Sequence, residues 1–188
     1  MKPKAVIVKT AASQLYTLAD QKIFSRISTT SEDDFINSLI KAATEDAESF
    51  CRIAFLDTVF TAYYDYFPSE IELPKGTVSE IASIKYYDTD NQIQTISESN
   101  YDSDLKSKPA IVIPATNYSW PDTYCKQNAV EIEYTAGYGA SNTSVPNPIL
   151  IAVKLMAGTV YDGDRANRRA GNSLPTAAES LLKPYIQY

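Results

Sequence analysis

Two carboxylates, Glu131 and Glu133, alternate along AVEIEY, a spacing that puts both on one face of a strand about 7 Å apart. A carboxylate pair is the equipment of glycoside hydrolysis, but that chemistry places its acids on opposite sides of the scissile bond. A solvated strand face is the plainer reading. Asp162 and Asp164 offer oxygen ligands to a metal, yet without histidine or a third placed carboxylate they fit a helix end paired with arginine better. Gly137 and Gly139, in EIEYTAGYGASNTSVPNP, sit where nucleotide enzymes cradle phosphate. The third glycine of a dinucleotide fingerprint is replaced by Asn142, no Gly-Lys-Ser/Thr follows, and Pro146 and Pro148 lack N–H donors. These glycines therefore read as backbone devices for leaving a sheet.

The group best suited to an interaction is Arg165, Arg168 and Arg169, whose guanidinium forks bind carboxylates or phosphates. The 14 tyrosines, clustered at Tyr63, Tyr64 and Tyr66 beside Phe67, with the lone Trp120, suit protein contact, strand packing or sugar stacking. Histidine is absent, which removes the commonest general base and the commonest zinc ligand. Cys51 and Cys125 lie far apart without metal-type spacing and read as unpaired thiols of a reducing compartment. No catalytic residue, metal or cofactor is expected.

The chain carries a net charge of −6, concentrated at residues 31–74 with ten acids against two bases; residues 141–188 reverse this with three against five. Such a chain lacks the basic surface of an ordinary DNA binder. MKPKAVIVKT has too short an apolar core for an export signal. The run Ile149–Val153 falls far below the roughly 20 residues of a membrane helix. A soluble protein without a membrane partner is expected.

The elements that must position these groups follow from periodicity. Residues 1–13 show no helical period and read as an arm. TLADQKIFSRI opens with Thr17 three before Asp20, and Ser31 stands three before Asp34 ahead of a helix over about 32–54. TVFTAYYDYF, EIEL, VSEIASIKYYD, QIQTI, AIVI and AVEIEY read as six strands, with DTDNQ a hairpin turn rather than a calcium loop. Asn147 and Pro148 suit a helix start, and a helix over 148–161 carries Lys154 as its only charge, so it should be nearly surrounded by protein. Gly163 suits its stop, and AAESLLKPYIQY suits a terminal helix broken at Pro184. The fold class is α+β: one domain with a helical body (14–55 and 146–188) and an antiparallel β-rich insertion (56–140) between the second and third helices.

The collinear order of YTLADQKIFSRI, TTSEDDFINSLIKAATEDAESF, EIELP, VSEIASIKYYD, SWP, VEIEYTAGYG, VPNPILIAVKLMAGTVYDGDR and SLPTAAESLLKPY resembles the head-tail connector (head completion) proteins of tailed phages over residues 14–187. That resemblance implies a structural virion protein of the neck, made in the host cytoplasm. It implies a ring, dodecameric in the family pattern, between the portal protein and a downstream neck or tail protein. DNA would pass through as non-specific cargo, past acidic strand faces that do not grip it. Arg165, Arg168 and Arg169, with Leu181, Leu182 and Tyr185 of the terminal segment, become the candidate protein contacts. The alternative, from the tyrosines and strand carboxylates, is a carbohydrate-binding or carbohydrate-active phage protein.

Overall fold

The structure is a computed structural model that describes residues 2–10, 13–162 and 175–187. Its contacts gather into two compact units, Met1–Ala12 with Asp57–Tyr138 and Ser13–Leu56 with Gly139–Tyr188. The fold is α+β; among the described residues seven of the eight strands lie between the second and third helices, and one, Ala5–Thr10, lies before the first.

The β-rich unit holds two antiparallel sheets. The larger has the order β1-β2-β8-β4-β5, from strands Ala5–Thr10 (β1), Thr58–Tyr64 (β2), Val130–Ala136 (β8), Val78–Tyr87 (β4) and Ile93–Thr95 (β5). The smaller has the order β3-β7-β6, from Ile71–Leu73 (β3), Ala110–Pro114 (β7) and Tyr101–Asp104 (β6). The alternation of β8 is the clearest sequence-to-structure link: Val130, Ile132, Tyr134 and Ala136 are buried while Glu131, Glu133 and Thr135 between them stay partly open. Register carries the same face across the sheet, so Phe60 stands opposite Tyr134 and Ile84 opposite Ile132. Two buried tyrosines tie this face to the backbone near β3: Tyr64 donates to the Glu72 carbonyl at 2.7 Å and Tyr134 to the Pro74 carbonyl at 3.0 Å. A buried phenol must find such an acceptor.

Two strands escaped the sequence reading. Residues 5–10, expected in an arm, form β1 along β2, with Ala5 opposite Tyr63 and Val8 opposite Phe60. An unbroken AVIV run has no alternation to announce a strand, and only the partner supplies the pattern. β6, YDSD, is polar throughout and is made a strand by pairing with β7. At the β4–β5 turn, Asp88 accepts the backbone N–H groups of Asp90 and Gln92, which is the expected hairpin turn.

The helical unit consists of Leu18–Ser25 (α1), Asp33–Cys51 (α2), Asn147–Tyr161 (α3) and Thr176–Leu182 (α4), with a 3-10 turn at Lys183–Tyr185. Thr17 and Asp20 make the expected reciprocal cap of α1. Ser31 does not cap α2: its hydroxyl pairs with that of Thr29, and the helix begins after Glu32 without a side-chain cap. The third helix starts one residue early, with Pro146 at the cap position and Pro148 second in the helix. α3 touches each of the other three helices and buries Ile149, Ala152, Val153, Met156 and Ala157. Its enclosure is incomplete, because Ile151 is 44% exposed. The expected stop at Gly163 lies outside the described residues.

Candidate functional site

The carboxylates that opened the sequence reading are arranged for neutralisation. The Lys9 ammonium reaches across β2 to the Glu133 carboxylate on β8 at 2.5 Å. Glu131 stands opposite Lys85 in the β4–β8 register. The hydrogen bond to Glu133 is also what raises the Lys9 pKa above its ordinary value. Glu133 is thus ion-paired and Glu131 lies in register with a lysine, both on the partly open face of β8. Among the described residues no three His, Cys, Asp or Glu side chains converge on a point where a metal ion would sit.

The glycine junction is explained by packing. The Gly137 N–H donates to the Thr77 carbonyl at 2.9 Å, so it is not free for a phosphate. At Gly139, with φ of +144°, a Cβ would fall 2.7 Å from the Ser144 hydroxyl oxygen and 2.8 Å from its Cβ, so a side chain there would be strained and would force Ser144 to shift. The next α-helix begins only at Asn147, after an intervening 3-10 turn, so the glycines do not open a helix N-terminus.

Two of the clustered aromatic residues stack on each other, while Tyr66 is 53% exposed. Phe67 lies flat on Trp120, with centroids 4.8 Å apart and planes 9° from parallel. Tyr118 and Tyr86 meet this pair edge-on, Tyr118 on Trp120 and Tyr86 on Phe67. A sugar platform needs an open ring face, and the Phe67–Trp120 stack spends one face of each ring internally.

Of the six candidate contact residues, Arg165, Arg168 and Arg169 lie outside the described residues. Leu182 is fully buried in the helical unit, where its carbonyl faces the Cys51 thiol, 3.8 Å away. Its role is core packing, because a Leu at the inner position of a seven-residue helix is consumed by that helix's own docking. Leu181 and Tyr185 are partly buried, with some surface left open. The segment after α4 is tied down where the Gln187 N–H donates to the Cys51 carbonyl at 2.9 Å. Burial, with Glu48 nearby as the smaller cause, pushes the Cys51 thiol up to about 11.

Sequence reasoning missed a second kind of surface. On α1 the polar Gln21 is 1% exposed while Ile23 is 79% and Phe24 41% exposed. The inversion has a local cause. The Gln21 side chain accepts from the Tyr16 hydroxyl at 2.8 Å and donates to the Ser25 hydroxyl at 2.8 Å and to the Lys154 carbonyl at 3.2 Å. With its polar residue facing inward, a short helix turns its large apolar ones outward. In the sheet unit Ile7 is 56%, Val8 51% and Ile93 61% exposed on the two outermost strands. Contiguous exposed apolar groups are candidates for interaction, whereas a single one is ordinary. The sequence signal was the surplus of large aliphatics in AVIVK and KIF over what one face requires.

The profile of the phage gp6-like head-tail connector protein family matches residues 16–112. The chain belongs to that family. No curated protein matches it in sequence. Among solved structures, it is similar to a chain described as the neck of an empty gene transfer agent (GTA) particle computed with C6 symmetry, at 20% identity and TM-score 0.78, covering 98% of this chain and 96% of that one. A chain of the virion of the native particle aligns at 19% identity and TM-score 0.77, covering 97% and 95%. A third, the neck of the native particle computed with C12 symmetry, aligns at 17% identity and TM-score 0.73, covering 97% and 96%. The shared feature at these identities is the fold.

Proposed function

We propose that this connector-family protein is a structural component of the virion neck, assembling as a ring between the portal and the next neck or tail protein and continuing the passage for DNA. The observation that carries the reading is the fold likeness to a neck chain over 98% of its length, both units included. Family membership supports it, and the large aliphatic residues exposed in each unit leave surface for neighbours to cover. The copy number favoured is twelve, in line with the C12 description of one similar neck. DNA enters this reading as passing cargo: Glu131 and Glu133 lie beside lysines, so the sheet face is closer to neutral than acidic, and weak attraction to phosphate is what a passage requires.

The arginine-bearing segment with Arg165, Arg168 and Arg169, together with Leu181 and Tyr185, is the proposed portal contact, while buried Leu182 packs within the helical unit. Negative-stain electron microscopy of the purified protein with its cognate portal tests the assignment. Rings seated on the portal are expected, and replacing the three arginines by alanine should abolish seating while leaving the fold intact by circular dichroism. Seating unchanged in the triple variant would remove the arginines from the contact. Failure of the wild-type protein to seat or form rings would remove the adaptor reading itself.

A further inference from the structure

We propose that neighbouring copies join edge to edge through the large sheet, β1 of one copy adding in parallel to the free edge of β5 in the next; the inference rests on the ring reading above. β1 is an edge strand of six residues, and among the described residues no backbone hydrogen bond reaches its outer side or that of β5. Long open edges invite pairing, and proteins usually guard them with outward lysines. Here the guards are withdrawn. Lys4 is drawn to Asp65 at 2.5 Å and Lys9 to Glu133 at 2.5 Å, both pulled back over the sheet. Between them Ile7 and Val8 point to opposite faces, and both are more than half exposed. Exposure on both faces at once is what a missing next strand leaves. At the far edge all three residues of β5 are exposed, Ile93 most of all the apolar ones in the unit.

A ring needs a heterologous contact, two different patches that fit each other, and the two dissimilar edges of one sheet provide them. Strand sense fixes how they meet. Four successive antiparallel joints separate β1 from β5, so the two run the same way within a copy. A twelvefold ring rotates each copy by only about 30° from the next, so strands of like sense stay near parallel across the joint. That rotation lies within the roughly 10–35° twist between ordinary neighbouring strands.

The test is position-specific cross-linking in assembled rings. In a Cys125→Ser background, which removes the exposed native thiol, Ile7→Cys and Ile93→Cys are combined and treated with mild oxidant or a short bis-maleimide. A ladder of covalent oligomers is expected on a denaturing gel, while the two single variants mixed together should stop at dimers. Ile7→Lys with Val8→Lys should abolish rings and leave a monomer with unchanged circular dichroism. Wild-type-like rings from that variant, or intact rings of the cysteine pair that give no ladder, would overturn the edge joint and leave the ring reading standing. Absence of rings from the wild-type protein, with and without portal, would overturn both.

Discussion

The two units bury polar groups by different rules. The sheet unit hides two phenols, Tyr64 and Tyr134, each spending one hydrogen bond on a backbone carbonyl. Among its described residues the helical unit hides the Gln21 amide, which satisfies three partners from two helices and the preceding loop, the buried Tyr16 hydroxyl among them. Removing a phenol hydroxyl leaves one carbonyl short of a donor, whereas removing the amide strands several groups at once. The difference follows from backbone bookkeeping. Strands exchange their hydrogen bonds across the sheet and need little from side chains, but helices satisfy only themselves, so contacts between them must come from side chains. The helical unit gains a close approach from this. At Gly158 of α3 a Cβ would fall 3.2 Å from the Ser25 hydroxyl oxygen and 3.6 Å from the Gln21 amide nitrogen.

The contrast can be tested in descending order of effect. Tyr134→Ala empties the centre of the sheet core and should cost about 3–5 kcal/mol by chemical denaturation. Tyr134→Phe keeps the ring and should cost only about 1 kcal/mol, and a loss as large as that of alanine would mean the hydroxyl, not the ring, holds the core. Gln21→Leu preserves volume but takes the hydrogen-bond partner from the Tyr16 and Ser25 hydroxyls, with an expected loss of about 1–3 kcal/mol. If Gln21→Leu proved neutral, the supposed contrast between the units would collapse.

Alkaline titration sharpens the same comparison. Burial raises the hydroxyls of Tyr64 and Tyr134 in the sheet unit and of Tyr16 in the helical unit above the ordinary 10.0, and raises Cys51 from 9.0 to about 11. Each folded group holds its proton at a pH where the unfolded group has lost it. Their stability is intact below pH 9 and falls as pH rises, through Cys51 between 9 and about 11 and through the tyrosines above 10. Denaturation midpoints at pH 8 and pH 10 should differ less in Cys51→Ala than in the wild type; equal differences would deny the thiol its part. The smallest effect is expected at Gly158. Its replacement by Ala should gain up to about 1 kcal/mol of helix propensity, offset by crowding against Ser25. The Ser25→Ala, Gly158→Ala pair should therefore unfold at a higher denaturant concentration than Gly158→Ala alone.

Much of the fold was legible because period reports burial. The α2 stripe Ile36, Ile40, Ala43 and Ala47 and the β8 alternation each identify their element and its buried face without help from elsewhere. The connector resemblance was legible in the order of the segments. Exposure was less legible. Leu182 is buried in the helical unit, while Ile23, Ile7 and Ile93 are exposed. Whether an aliphatic side chain is inside or outside depends on which neighbour covers it, and a short element has too few turns to average that out.

The sequence by itself determined the α+β class, the reciprocal cap at Thr17 and Asp20, the turn at Asp88 and the need for a glycine at position 139, since each follows from interactions within a few residues. Only the tertiary structure decided that residues 5–10 are a strand, that Glu133 is held by Lys9 from 124 positions away, and that a glutamine rather than an isoleucine faces inward on α1. Those outcomes depend on free energies of pairing and burial between segments far apart in the chain, which no local window contains.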